Sequence, residues 1–231
     1  MKIIIQNLAI EYEDCGAGSV MLLLHGWQDN LRTFDSLTSS LSLTHRVIRL
    51  DLPGFGTSET PHTSWDLDDY VEFVKNFIKK RDLRVDALVG HSFGGRIVIK
   101  GNATQNLCAN NIILIGAAGT AKKRTLQHFI INIVAKVGKM ITYIPPFIFW
   151  RGYLRKKMYH LIGSDYLSAG PLREIFLNII SEDLRVSAKK ITTSTLLIWG
   201  ADDTETPLSD GKLLSQLIHN SQLEIIDGAG H

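Results

Sequence analysis

The sequence places one serine where a nucleophile could work. Gly90-His91-Ser92-Phe93-Gly94-Gly95 lies between a short apolar strand pattern at 87–89 and a helical pattern that begins at Phe93. A serine in a tight strand-to-helix turn has its hydroxyl lifted clear of the sheet, and its neighbours must be small because a Cβ would clash. The spacing therefore predicts Ser92 as a nucleophile. The alternative interpretation is a glycine-rich turn with an incidental serine.

A serine hydroxyl needs a base, and the base needs an acid that fixes its tautomer. The strand pattern at 195–199 ends in a turn that carries two carboxylates, Asp202 and Asp203. Side chains just beyond the carboxyl ends of parallel strands lie at the edge of the sheet where ligands bind. Asp203 is predicted as the acid because it follows Gly200 by three residues. The alternative is that both carboxylates belong to a turn or cap before the helix at Pro207.

The base is predicted to be His231. Of the eight histidines, it is the one that follows the acid at the end of a strand pattern, here 223–226. His25 also follows a strand pattern but is interpreted as part of a structural turn. His91 stands too close to Ser92 to fold back as its base. The alternative for His231 is a disordered terminal residue.

Two backbone amides could stabilise a developing oxyanion. Phe93 opens the helix after Ser92, where amide groups have no partner within the helix. The second donor is predicted at Trp27, in the loop after the strand pattern 20–24. The alternative for Trp27 is an aromatic residue of the pocket or core, and it could serve both roles. The sequence has neither zinc-type ligand spacing nor a phosphate-binding glycine loop, so no metal and no cofactor is expected.

The elements that must position these residues alternate along the chain. Strand patterns occur at 2–14 (a hairpin), 20–24, 47–50, 87–89, 112–115, 195–199 and 223–226, and helical patterns at 30–43, 64–79, 93–101 and 207–218, with Asn30 and Ser64 as N-caps. Short apolar strands that alternate with helices indicate a parallel sheet covered on both faces. A long, basic and aromatic helical pattern interrupts the alternation. The sequence therefore predicts an α/β core at 1–119 and 191–231 that carries a helical lid at 120–190.

The charge of the chain is unevenly distributed. The net charge is only +2, yet residues 120–190 contain thirteen lysines and arginines and four acidic residues. A basic region of this kind favours an anionic partner, for which an acyl-carrier protein, a coenzyme A tail or an acidic membrane surface would serve. The alternative is that the charges only solvate an apolar segment. No nucleic acid is expected as a partner.

The cysteines and the absence of targeting patterns favour a cytoplasmic protein. Cys15 and Cys108 show no CxxC or metal-type spacing and are expected to be reduced thiols in the core. The N-terminal apolar run is too short for a signal peptide, and acidic residues follow it at once. No stretch reaches the roughly 18 uninterrupted apolar residues of a membrane-spanning helix.

Five short motifs together resemble the α/β-hydrolase superfamily. They occur in that family's order, as HGW at 25–27, DLPGFGTS at 51–58, GHSFGG at 90–95, GADD with a following proline at 200–207, and GAGH at 228–231. Within the superfamily, HGW with DLPGFG is most similar to carboxylesterases of the pimeloyl-carrier-protein methyl esterase type. The matching blocks are spread over nearly the whole chain outside 120–190.

The resemblance implies an eight-stranded, mostly parallel sheet with helices on both faces and a helical lid after the sixth strand. It makes Ser92 the nucleophile, Asp203 the acid and His231 the base, with Trp27 and Phe93 as the oxyanion amides. Chains of the family continue past this histidine with a final helix, which this sequence lacks. Either the chain is a fragment, or the surface under that helix is exposed.

The function expected from these residues is hydrolysis of a small carboxylic ester or thioester through an acyl-enzyme. The same residues are compatible with two alternative functions. A C–C bond hydrolase or lyase could use the same triad, because the motifs do not distinguish the bond that is cleaved. A ligand-binding homologue with vestigial catalysis is the other, although a binding protein has no need of all three triad residues.

Overall fold

The computed structural model describes residues 1–120 and 172–231. The strands of these residues are β1 (Lys2–Ile5), β2 (Leu8–Cys15), β3 (Val20–Leu24), β4 (Arg46–Leu50), β5 (Val85–His91), β6 (Asn111–Ile115), β7 (Ser194–Gly200) and β8 (Ser221–Ile226). The helices are a 3₁₀ turn at Leu31–Phe34, α1 (Asp35–Leu41), α2 (Leu67–Lys80), α3 (Phe93–Ala103), α4 (Arg173–Ser181), α5 (Arg185–Ala188) and α6 (Leu208–Leu217). Among them, no helix combines the length and the apolar content needed to cross a bilayer.

The described strands form one sheet in the order β1-β2-β4-β3-β5-β6-β7-β8. The β1–β2 and β2–β4 pairs are antiparallel, whereas the pairs from β4 through β3, β5, β6 and β7 to β8 are parallel. This confirms the eight-stranded, mostly parallel sheet of an α/β fold. The hairpin pattern at 2–14 lies on β1 and β2, and each other strand pattern of the sequence lies on one of the remaining strands.

Helices cover both faces of the sheet, and the central strands are apolar for that reason. All five residues of β3 are buried. Leu22 and Leu24 pack with α2 and α3 in the larger core cluster, while Met21 and Leu23 pack with Phe34 in a second cluster on the opposite face. Alternate residues of a strand point to opposite faces, so one apolar run supplies both clusters. At the edge strand β8, by contrast, the last residues are exposed.

The N-cap of α2 differs from the prediction. Asp66, not Ser64, caps the helix: its carboxylate accepts from the amide of Asp69, and the Asp69 carboxylate accepts from the amide of Asp66. This reciprocal pair satisfies two amides that the helix leaves without partners. The other predicted cap, Asn30, does accept from the Arg32 amide, at the start of the 3₁₀ turn.

The predicted lid at 120–190 falls largely on residues 121–171, which lie outside the described residues, so the domain division stays a prediction. Residues 172–190 fold onto the core through α4 and α5. Buried Arg96 of α3 donates to the carbonyls of Ile179 and Glu182 at the end of α4. Burial lowers the pKa of Arg96 to about 10, and the guanidinium still complements the carbonyl end of the helix.

The prediction that both cysteines lie in the core is wrong for Cys108. Its thiol is exposed after α3, whereas Cys15 is partly buried at the end of β2. Both thiols are free. The apolar character of cysteine did not decide its place here, because Cys108 falls in a short connecting loop before β6, and loops run over the surface.

The capping pair generates a stability prediction. Asp66→Ala should lower the free energy of unfolding by about 1 kcal/mol, because the Asp69 amide loses its acceptor and the reciprocal hydrogen bond from the residue-66 amide to the Asp69 carboxylate is no longer paired with it. Ser64→Ala is the matched control, with an expected change below about 0.5 kcal/mol, since among the described residues the Ser64 hydroxyl only accepts from the exposed Asn178 amide. Urea denaturation of both variants measures the difference. A larger loss of unfolding free energy in Ser64→Ala than in Asp66→Ala would identify Ser64 as the N-cap.

Candidate active site

Ser92 occupies a strained turn between β5 and α3. Its backbone has φ 49° and ψ −109°, in a region that residues with a side chain rarely adopt. The turn is held because the Ser92 amide donates to the carbonyl of Ile115 at 3.0 Å and the Ser92 carbonyl accepts from the amide of Ala118 at 3.1 Å. Strain of this kind persists only where the surroundings fix it, and it gathers at functional sites.

The glycines around Ser92 are there because the backbone passes very close to its neighbours. A Cβ on Gly94 would lie 2.0 Å from the carbonyl oxygen of Leu24, and one on Gly90 would lie 2.6 Å from the carbonyl oxygen of Gly94. No side chain fits at either position. The glycine spacing that predicted the turn is therefore a steric requirement of packing the start of α3 against the ends of β3 and β5.

Asp203 and His231 meet at the same edge of the sheet. Nδ1 of His231 lies 2.8 Å from Oδ2 of Asp203. The Asp203 side chain is 1% exposed, whereas that of His231 is 24% exposed. A carboxylate that accepts from Nδ1 holds the imidazole in the tautomer that leaves Nε2 free to take a proton. Asp202, the alternative acid, is exposed, and its amide donates to Ala229 in the loop that carries His231.

Four contacts compensate for the burial of the Asp203 carboxylate. Oδ1 accepts from the amides of Glu205 at 2.9 Å and Thr206 at 2.8 Å, and Oδ2 lies 2.8 Å from both the Thr206 hydroxyl and His231 Nδ1. Burial alone would raise the pKa of Asp203. The hydrogen bonds from His231 and Thr206 outweigh burial and hold the pKa below its ordinary value, so the carboxylate stays charged at neutral pH.

Sequence reasoning missed Thr206, which is buried beneath the Asp203–His231 pair. Its hydroxyl lies 2.8 Å from Oδ2 of Asp203 and 3.1 Å from the carbonyl oxygen of Gly116, and its single proton can serve one of them at a time. The same oxygen is 3.2 Å from His231 Nδ1. A hydroxyl three residues after an acid, at the start of a helical pattern, is the signal that could have indicated this position.

The register of the sheet explains how distant residues come together. His91 pairs with Ile115 and Ile115 with Ile198, so β5, β6 and β7 end at the same edge, and Gly200 pairs with Ile226 of β8. Ser92 follows β5, Gly116 follows β6, Asp203 follows β7 and His231 follows β8. Parallel strands bring all four carboxyl ends to one edge, which is where α/β sheets bind ligands.

The two amides predicted as oxyanion donors belong to segments that meet at the serine. Phe93 begins α3, and a Cβ on Gly26, next to Trp27, would lie 3.3 Å from the Ser92 Cβ. Neither the Phe93 amide nor the Trp27 amide donates to another described residue. Their role as donors to an oxyanion beside Ser92 stays a prediction.

The Trp27 side chain belongs to an aromatic wall beside this loop. Its ring centroid lies 4.8 Å from that of Phe55, 5.6 Å from that of Phe93 and 5.1 Å from that of Phe176 in α4. The indole Nε1 is buried and has no acceptor in the described part of the chain. Phe176 thus ties the segment after residue 171 directly to the loop that carries the Trp27 amide.

His25 is structural, as predicted from its HG turn. The buried ring has Nδ1 2.7 Å from the Gly26 carbonyl oxygen, while Nε2 accepts from the Leu52 amide at 2.9 Å. Burial lowers the pKa of His25, so the ring is neutral and carries its proton on Nδ1. This fixes the loop of Trp27 against the loop after β4, where Asp51 accepts from two backbone amides.

Comparison with known proteins identifies the fold and its family. The model of the alpha/beta hydrolase family matches residues 21–231. The chain belongs to the α/β-hydrolase family. The AB hydrolase superfamily protein YisY of Bacillus subtilis is 28% identical over 98% of this chain and 90% of its own length. A 2-hydroxy-6-oxononadienedioate/2-hydroxy-6-oxononatrienedioate hydrolase of Pseudomonas putida is 24% identical over 97% of this chain and 86% of its own.

Solved structures show the same α/β-hydrolase fold. An esterase from Exiguobacterium antarcticum superposes with a TM-score of 0.76 at 24% identity, over 100% of this chain and 91% of its own. A meta-cleavage product hydrolase from Pseudomonas fluorescens superposes with a TM-score of 0.73 at 21% identity, over 100% and 90%. Proteins that share this fold therefore include an esterase and a meta-cleavage product hydrolase. The finer resemblance to pimeloyl-carrier-protein methyl esterases stays a prediction.

Thr206 generates a prediction that does not depend on the reaction. Thr206→Val keeps the shape but removes the hydroxyl, which takes one donor from the buried Asp203 carboxylate and the Gly116 carbonyl. The free energy of unfolding should fall by about 1–3 kcal/mol. Thr204→Val, at an exposed position of the same turn, is the control and should change it by less than about 0.5 kcal/mol. Equal stability of the two variants in chemical denaturation would show that the hydroxyl is dispensable.

Proposed function

We propose that this α/β hydrolase cleaves a carboxylic ester or thioester through an acyl-enzyme formed on Ser92. The observation that carries the proposal is the combination of a strained serine at the end of β5 with the pair of buried Asp203 and partly exposed His231 at the same edge. A strained turn costs stability, and a buried carboxylate needs several partners. The strained turn and the buried carboxylate occur together at one edge of the sheet, which is the arrangement that nucleophilic catalysis needs.

Each residue has a role in the proposed reaction. Ser92 Oγ adds to the substrate carbonyl while Nε2 of His231 takes its proton, and Asp203 stabilises the imidazolium that forms. The amides of Phe93 and Trp27 donate to the oxyanion. His231 then gives the proton to the leaving group. In the second half of the reaction, His231 takes a proton from water as the water attacks the acyl-enzyme, and returns it to Ser92 Oγ as the acid product leaves. No hydrogen bond joins Ser92 to His231 in the described residues, and this bond often tightens only when substrate binds.

The second candidate is hydrolysis of a C–C bond. The relatives include a meta-cleavage product hydrolase, and the same nucleophile, base and oxyanion donors would serve that reaction. The ester reaction is preferred because HGW at 25–27 with DLPGFG at 51–56 resembles the carboxylesterases. Because both reactions would use the same triad, only a comparison of substrates can distinguish ester hydrolysis from C–C bond hydrolysis.

The acid of the triad can be tested by a matched pair of variants. Asp203→Asn should lower kcat on the order of 10⁴-fold, because the amide favours the wrong His231 tautomer, while Asp202→Asn should stay within about tenfold of the parent. Steady-state hydrolysis of a p-nitrophenyl ester measures both. The reverse ranking would move the acid to Asp202.

A substrate panel tests the reaction itself. The parent protein should hydrolyse p-nitrophenyl esters or acyl thioesters faster than a vinylogous diketone, and Ser92→Ala should lose at least ~10³-fold of that turnover. Ser209→Ala, an exposed serine of α6, is the control and should match the parent. Diketone cleavage without ester cleavage would replace the ester assignment by C–C hydrolysis. Parental turnover in Ser92→Ala would remove Ser92 as the nucleophile.

We also propose that the basic segment at 120–190 favours an anionic acyl donor such as an acyl-carrier or coenzyme A thioester. Its support is the excess of thirteen lysines and arginines over four acids. Attraction of exposed charges weakens with salt, because screening acts over ~8 Å at physiological ionic strength. Within the same panel, kcat/KM should fall steeply with salt for the thioester and not for a neutral ester. An equal response of both substrates would leave the charges as solvation only.

A further inference from the structure

His91 makes a contact that the proposed reaction does not use. Its Nε2 lies 3.1 Å from the backbone carbonyl oxygen of His231, and the two imidazole rings stand 4.9 Å apart at an angle of 41°. The residue before the nucleophile therefore touches the backbone of the proposed base. Since a carbonyl only accepts, His91 must carry a proton on Nε2 to make this hydrogen bond.

The other side of the His91 ring fixes its protonation state. Nδ1 is buried and has no partner in the described residues, and it lies against Gly26, where a Cβ would approach it to 3.1 Å. A proton on Nδ1 would have no acceptor there. Burial also lowers the pKa of His91, against the smaller opposing effect of the His231 carbonyl. The ring is thus neutral, with its proton on Nε2.

The other backbone attachments of the loop that carries His231 lie before His231 itself. It is held at Ala229, whose carbonyl accepts from the Asp202 amide at 2.9 Å. Among the described residues, the backbone of Gly230 and His231 makes no hydrogen bond apart from the one to His91. The carbonyl oxygens of Ala229 and Gly230 also pack against Gly200, where a Cβ would lie 2.3 Å from each, so packing holds the loop as far as Gly230 and the hydrogen bond from His91 acts on His231 itself.

We propose that His91 is a positioning residue that holds the backbone of His231, and with it the proposed base, over Ser92. The inference rests on the proposed function and extends it by one residue. Asp203 fixes the imidazole of His231 from one side, and packing against Gly200 holds the loop as far as Gly230. The hydrogen bond from His91 holds the carbonyl of His231 itself. A hydrogen bond from the turn of the nucleophile joins base and nucleophile into one unit, and displacement of about 1 Å at such a site costs rate.

Two amide variants separate the hydrogen bond from simple packing. In His91→Gln the side-chain nitrogen can reach the place of Nε2, whereas in His91→Asn it reaches only the place of Nδ1. His91→Asn and His91→Leu should lower kcat for a p-nitrophenyl ester by about 3- to 10-fold with KM within twofold, the rate equivalent of one neutral hydrogen bond. His91→Gln should restore kcat to within about twofold. His219→Leu, at an exposed histidine, should match the parent.

Two results would overturn the inference in an active enzyme: parental kcat in His91→Leu, or a loss in His91→Gln as large as in His91→Asn. A second readout does not need activity. In ¹⁵N NMR of histidine-labelled protein at neutral pH, His91 should show the neutral tautomer with its proton on Nε2, and the His231 ring signals should broaden in His91→Asn but not in His91→Gln. Another tautomer, or unchanged His231 signals in His91→Asn, contradicts it. If the parent protein has no esterase activity but shows the expected NMR signals, the proposed function is wrong while the contact of His91 with His231 stands.

Discussion

The common edge at which β5, β6, β7 and β8 end is the constraint on which the rest of the site depends. Parallel pairing aligns these strands residue by residue, so that the four segments that follow them begin side by side. Ser92 and His231 are 139 positions apart in sequence, yet they share this edge because of strand register alone. The register in turn is set by apolar strands covered on both faces, which cannot slip without exposing their side chains.

The site stores two unfavourable features that the surrounding fold must compensate. Ser92 keeps a positive φ because α3 packs closely against the end of β3. Asp203 keeps its charge while buried because two amides, one hydroxyl and one imidazole surround it. Its pKa lies below the ordinary value of 3.8, so the stability that it contributes is present above that pH and is lost as pH falls through the lower value.

The sequence was sufficient for the fold and for the residues whose signals are local. Strand and helix patterns placed the elements, and GHSFGG placed Ser92, because steric requirements within a few residues determine both. Contacts made across the sheet edge had no such signal. The contact of His91 with His231 was not predicted because the two residues are far apart in the chain. Thr206 was missed although its place three residues after Asp203 was a local signal. The cap of α2 was misplaced because Ser64 and Asp66 are both good caps, and only the geometry of Asp69 decides between them.

Covalent trapping tests the central claim, that Ser92 is a nucleophile activated by the Asp203–His231 pair, most directly. The intact protein would be treated with a fluorophosphonate, and the labelled residue and labelling rate would be determined by mass spectrometry. The account predicts one adduct, on the peptide that contains Ser92, with a rate that falls by orders of magnitude in His231→Ala and in Asp203→Asn. No adduct on the folded parent, or labelling of Ser92 at the same rate without His231, would contradict it and favour a binding protein that only retains the fold.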